Sequence, residues 1–79
     1  MKFAIGYFED DSTTKSHVFG YELNGYYSDV AVVDVNTIEE AVKIAREKYD
    51  MTWGILITET GIIKSFWYDV NVGKMRIEG

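Results

Sequence analysis

The chain has 79 residues, eight lysines and arginines against thirteen acids, a formal net charge of −5, and no cysteine or proline. That charge argues against duplex nucleic acid, an RNA backbone or an anionic membrane as the main partner, because phosphate binding is driven by Lys and Arg. Without cysteine there is no disulfide framework, thiolate metal site or thiol nucleophile, and a cytoplasmic setting fits.

With 47% hydrophobic and 15% aromatic residues the chain is too apolar for disorder. A length of this order forms one domain, residues 1–79, and buries roughly 60% of its unfolded surface. No apolar run approaches the roughly 20 residues of a membrane span. The first eight residues are too short for a signal peptide and run directly into Glu9, Asp10 and Asp11.

In chain order, residues 2–8 alternate as a strand, with Phe3, Ile5 and Tyr7 on one side and Ala4, Gly6 and Phe8 on the other. Residues 9–16 are polar and read as an exposed loop. Asn24-Gly25 is the preferred pair for a two-residue hairpin turn, since both positions need positive φ. Such a turn pairs Leu23 with Tyr26, Tyr21 with Ser28, Phe19 with Val30 and His17 with Val32, and gives this hairpin an apolar side to bury. His17 then sits on the buried side as a structural histidine rather than a general base.

Residues 37–50 are the only run that reads as a helix. Thr37 and Glu40 have capping-box spacing. Ile38, Ala41, Val42, Ala45 and Tyr49 form an apolar stripe, and Glu39 with Lys43, Lys43 with Glu47 and Arg46 with Asp50 are spaced to pair on the other face. Residues 53–58 and 62–69 then form a hairpin around Glu59-Thr60-Gly61, with Gly61 in the left-handed position. Its register puts Trp53, Ile55, Ile57, Ile63 and Trp67 on one face, which is assigned to the helix. Leu56, Ile62, Lys64, Phe66 and Tyr68 fall on the reverse. Residues 74–77 form a short last strand at the edge.

The fold class predicted is α+β: one antiparallel sheet of about five strands, in the order β-β-β-α-β-β with a short sixth, and one helix on one face. A helix about 10 to 12 Å wide covers two or three strands spaced about 4.8 Å apart, which leaves part of the sheet bare. An exposed apolar patch of this kind marks an interaction surface. The expected partner-binding residues are Phe8, Tyr27, Lys64, Phe66 and Tyr68. Glu9, Asp10, Asp11, Glu22 and Asp29 form an expected acidic edge that can stand where phosphates would lie on a nucleic-acid-binding protein.

Catalytic signals are weak: there is no phosphate loop, nucleophile elbow or metal-ligand spacing. Glu9, Asp10 and Asp11 supply oxygens for a hard cation, yet the alternating acids and distal Glu of a calcium loop are missing. The expectation is a small, acidic, non-enzymatic protein-interaction module, without cofactor or metal, that acts on a protein partner. An inhibitor of the anti-defence kind carried by phages and mobile elements suits this size and charge, although no motif carries that expectation. The alternatives are a nucleotide-sequestering protein with Tyr27, Phe66 and Tyr68 as a stacking platform beside Lys64, and a homodimer that buries the bare face.

Overall fold

The structure, a computed structural model, describes residues 1–79. It is α+β, with strands β1 (Lys2–Glu9), β2 (Lys15–Val18), β3 (Tyr21–Asn24) and β4 (Tyr26–Asp34), helix α1 (Ile38–Glu47), then β5 (Trp53–Thr58), β6 (Ile63–Asp69) and β7 (Lys74–Glu78). Five strands form one antiparallel sheet in the order β4-β1-β5-β6-β7, and β2 and β3 form a separate two-stranded ribbon. No helix is long and apolar enough to cross a membrane.

The helix forms where its cap and stripe place it. Thr37 is the N-cap, and its side chain accepts a hydrogen bond from the Glu40 N–H at 3.2 Å, without the return bond of a full capping box. Ala41, Val42 and Ala45 are buried. The stripe ends earlier than expected: Tyr49 is exposed under the Lys48 ammonium, and Met51 takes the buried position instead. Of the three expected ion pairs only Arg46 with Asp50 forms, at 3.0 Å.

Two expectations are corrected by the pairing. Asn24-Gly25 does not join paired strands. The hairpin turn is Phe19-Gly20, where both residues take positive φ (52° and 83°), and β2 pairs with β3 from Lys15 opposite Asn24 to Val18 opposite Tyr21. Gly25 is a corner at which the chain leaves the ribbon and enters the main sheet; a Cβ there would lie 2.4 Å from the Glu9 carbonyl oxygen. The physical reason is burial: pairing with β1 lets β4 bring Val33 and Ala31 into the core beneath the helix. The price is paid by the residues expected to line the hairpin's apolar side, since Phe19, Tyr21, Tyr26, Val30 and Val32 are all exposed and only Leu23 is buried.

The second correction concerns the sheet faces. The β5–β6 register is as expected, from Ile57 opposite Ile63 to Trp53 opposite Trp67, with Gly61 at φ 88°. The helix, however, lies on the opposite face. The core under it contains Phe3, Ile5, Val33, Leu56 and Phe66. Phe66 and Tyr68 therefore lie beneath the helix side rather than behind it, and Lys64, opposite Leu56, shares their face. Both faces of this hairpin are apolar, so alternation fixes which residues go together without fixing which set meets the helix.

The far face is not bare either. The β2–β3 ribbon crosses it, and Val18 and Leu23 pack on Ala4, Tyr27 and Ile57 to make a second small core. Tyr27 spans the sheet here. A Cβ on Gly6 would lie 3.1 Å from the Tyr27 ring, and the Tyr27 hydroxyl donates to the Ile55 carbonyl at 3.1 Å, two strands away. Opposite Gly6, β4 carries one extra residue, a β-bulge with Asp29 at φ 54°.

Candidate functional site

The residues expected to bind a partner do not converge. Phe66 is 1% exposed in the main core. Tyr68 lies on the helix side with the Arg46 guanidinium 5.3 Å from its ring centre. Tyr27 is on the far face but roofed by the ribbon, with the half-buried Phe8 ring 6.4 Å away. Tyr27, Phe66 and Tyr68 thus occupy two faces and make no common stacking platform for a base.

The acids divide in the same way. Asp11 caps its own loop, accepting hydrogen bonds from the Thr13 N–H (2.9 Å) and from the Thr13 and Thr14 hydroxyls (2.7 and 3.0 Å), which hold its carboxyl below the usual carboxylate range. Glu22 lies 3.5 Å from both Lys15 and His17 on the ribbon. His17 is exposed, against the expectation that it is buried, because its strand pairs with β3 and not with β4. Glu9, Asp10 and Asp29 remain exposed and free of ion pairs, with Glu9 at the end of β1 and Asp29 at the bulge of β4. No three of the His, Asp and Glu side chains converge as a metal site, and every buried side-chain nitrogen and oxygen has a hydrogen-bond partner.

The structure instead exposes an edge and a groove. Just before β4 the Gly25 N–H donates to the Thr14 carbonyl (2.9 Å), and the Ser16 hydroxyl donates to the Gly25 carbonyl and accepts from the Tyr27 N–H; beyond Tyr27, β4 has no paired strand on its outer side. The Val35 N–H donates to the Met1 carbonyl at 3.0 Å, so odd-numbered residues of this stretch bond inward to β1. Antiparallel alternation then turns the N–H and C=O of Val32 and Asp34 outward. Alongside runs a groove of about 410 Å³ between β2 and β4, lined by His17, Val18, Phe19, Tyr27, Val30 and Val32. Val32 is 56% exposed in it.

A second cleft, about 350 Å³, opens at the other end of β4 between Tyr7, Glu9, Tyr26, Ser28 and Trp53. Sequence reading missed both sites. It placed Val30, Val32 and Tyr26 in a hairpin interior and Trp53 beneath the helix, and no local signal marks them as exposed. No family model, curated protein or solved structure is similar to this chain.

Proposed function

We propose that this protein is a non-enzymatic interaction module that takes an extended, basic segment of a protein partner along the outer edge of β4. The observation that carries this reading is the open backbone edge at Val32 and Asp34 beside the apolar groove. Main-chain pairing to such an edge supplies affinity, and pockets for alternate side chains supply specificity. The net charge of −5 and the exposed, unpaired Asp29 favour basic residues in the segment, whereas the Asp34 carboxylate is already engaged by the Met1 ammonium at 3.0 Å. Where that segment belongs to the partner's own working surface, its capture inhibits the partner, and the anti-defence setting fits a chain of this size and charge.

Two measurements test this. A photo-crosslinking residue at Val30 should join one partner through a segment that mass spectrometry identifies as extended and basic, with yield falling at high salt. Val32→Pro, which removes an outward N–H without touching the β1 ladder, should abolish that cross-link while the circular dichroism spectrum is retained. A cross-link to a second copy of the chain, with a dimeric mass by light scattering, would replace the reading with homodimerisation through β4. A partner segment lacking Lys and Arg would remove the electrostatic part.

A further inference from the structure

The cleft at the opposite end of β4 has a composition that nothing else on this surface shares: three aromatic rings, one carboxylate and no base. Its geometry follows from two cross-strand pairs. Tyr7 stands opposite Ser28 and Glu9 opposite Tyr26, so that the two-residue period of β1 and β4 sets all four side chains on one face. Trp53 closes the third side from the start of β5 and meets Tyr7 edge-on, with ring centres 5.1 Å apart at 61°. That contact fixes the indole while leaving Trp53 49% exposed. The acid beside these rings is unneutralised: Glu9 takes part in no ion pair, and no Lys, Arg or His lines the cleft.

We infer that the Tyr7, Glu9, Tyr26, Ser28 and Trp53 cleft is a receptor for an arginine side chain presented by a protein partner. Ring faces attract cations through their quadrupole, with Trp the best of the three aromatic types. A carboxylate within the same cleft accepts the paired N–H groups of a guanidinium, and the Ser28 hydroxyl offers a further acceptor. The planar, weakly hydrated guanidinium stacks on a ring and forks to a carboxylate at once, whereas the compact, strongly hydrated lysine ammonium loses more water for fewer contacts. The site works without strand addition at the β4 edge, so Val32→Pro leaves it intact and failure of one reading is distinguishable from failure of the other.

The test is a titration of the whole protein with N-acetyl-arginine methylamide, followed by the indole N–H signals of the two tryptophans in a nitrogen-15 NMR spectrum. Trp53 should shift saturably at millimolar ligand, and by more than its cross-strand neighbour Trp67. The citrulline analogue, which keeps the plane and loses the charge, should bind roughly tenfold more weakly or not at all. Glu9→Gln, at an exposed position, should weaken arginine binding by a similar factor with the fold unchanged, and Trp53→Leu should abolish it. Citrulline binding as well as arginine, a larger shift at Trp67 than at Trp53, or a response that never saturates would overturn the assignment. Lysine binding as tightly as arginine would overturn the guanidinium preference.

Discussion

Tyr27 ties the far-face core to β5 through its hydroxyl, and its environment makes it a sensor of alkaline pH. Its phenol lies over Gly6 beneath the ribbon, and burial raises its pKa well above the ordinary 10.0. In the unfolded chain the phenol ionises near its ordinary value, whereas the folded state keeps it protonated. The stabilisation is therefore complete below about pH 10 and is lost as pH climbs toward the raised value. Tyr27→Phe should cost about 1 kcal/mol at neutral pH, through the lost bond to the Ile55 carbonyl, and should flatten the alkaline fall in stability. Urea melts of both proteins at pH 7 and in the alkaline range check this; an equally steep alkaline fall in the variant would contradict it. Phe66 stands on the other face, 1% exposed in the main core. Phe66→Ala should destabilise by about 3 to 5 kcal/mol, as core cavities do, rather than leave a folded protein with a damaged surface, and a melt within 1 kcal/mol of the parent would refute its core placement.

At the scale of elements, local signals were legible and long-range choices were not. The helix was readable because Thr37 and the Ala41, Val42 and Ala45 stripe act within a few residues of one another. Thr37→Ala should accordingly cost about 1 kcal/mol by urea melt, from one unsatisfied N–H at the helix start. The β5–β6 hairpin was readable for the same reason, through Gly61. The pairing of β4 was not, since Asn24-Gly25 carries a strong hairpin signature that tertiary context overrides: β4 pairs with β1, which places Val33 and Ala31 in and against the core beneath the helix. The face choice of β5 and β6 was illegible because Leu56 and Phe66 on one side are no more apolar than Ile55 and Ile57 on the other. The candidate sites inherit these errors: the exposed Val30, Val32 and Tyr26 sit where the overridden pairing had buried them, and the exposed Trp53 sits on the face that had been assigned to the helix.

For the whole molecule, the two edges of the main sheet are managed differently. β7 alternates Lys74, Arg76 and Glu78 along its exposed positions, a charged rim that discourages strand addition. Arg76 also donates to Asp69 at 3.0 Å, and with the Asn71 N–H this holds the Asp69 carboxyl below the usual carboxylate range. A lowered folded pKa means stability is present above the ordinary value of 3.8 and lost as pH falls below it, because the unfolded chain protonates first. Asp69→Asn should therefore show a shallower loss of stability in acid than the parent, measured by thermal melts between neutral pH and about pH 3. An unchanged acid slope would mean that the Asp69 and Arg76 contact contributes nothing to folding. β4, by contrast, carries on its edge a bulge at Asp29 and an Asp34 already paired with the Met1 ammonium, so its outer backbone groups lack a comparable charged rim.

The Phe19-Gly20 turn adds a consequence for the evolution of the chain. Phe19 holds φ 52°, a conformation that costs an L residue about 1 kcal/mol and that asparagine adopts more readily. Phe19→Asn should thus raise the denaturant midpoint. The ribbon tip keeps a bulky ring where a smaller, better-suited residue would make a sturdier protein, and that ring lines the groove beside β4. On the proposal that the β4 edge takes a partner segment, the sturdier variant should also be the poorer binder.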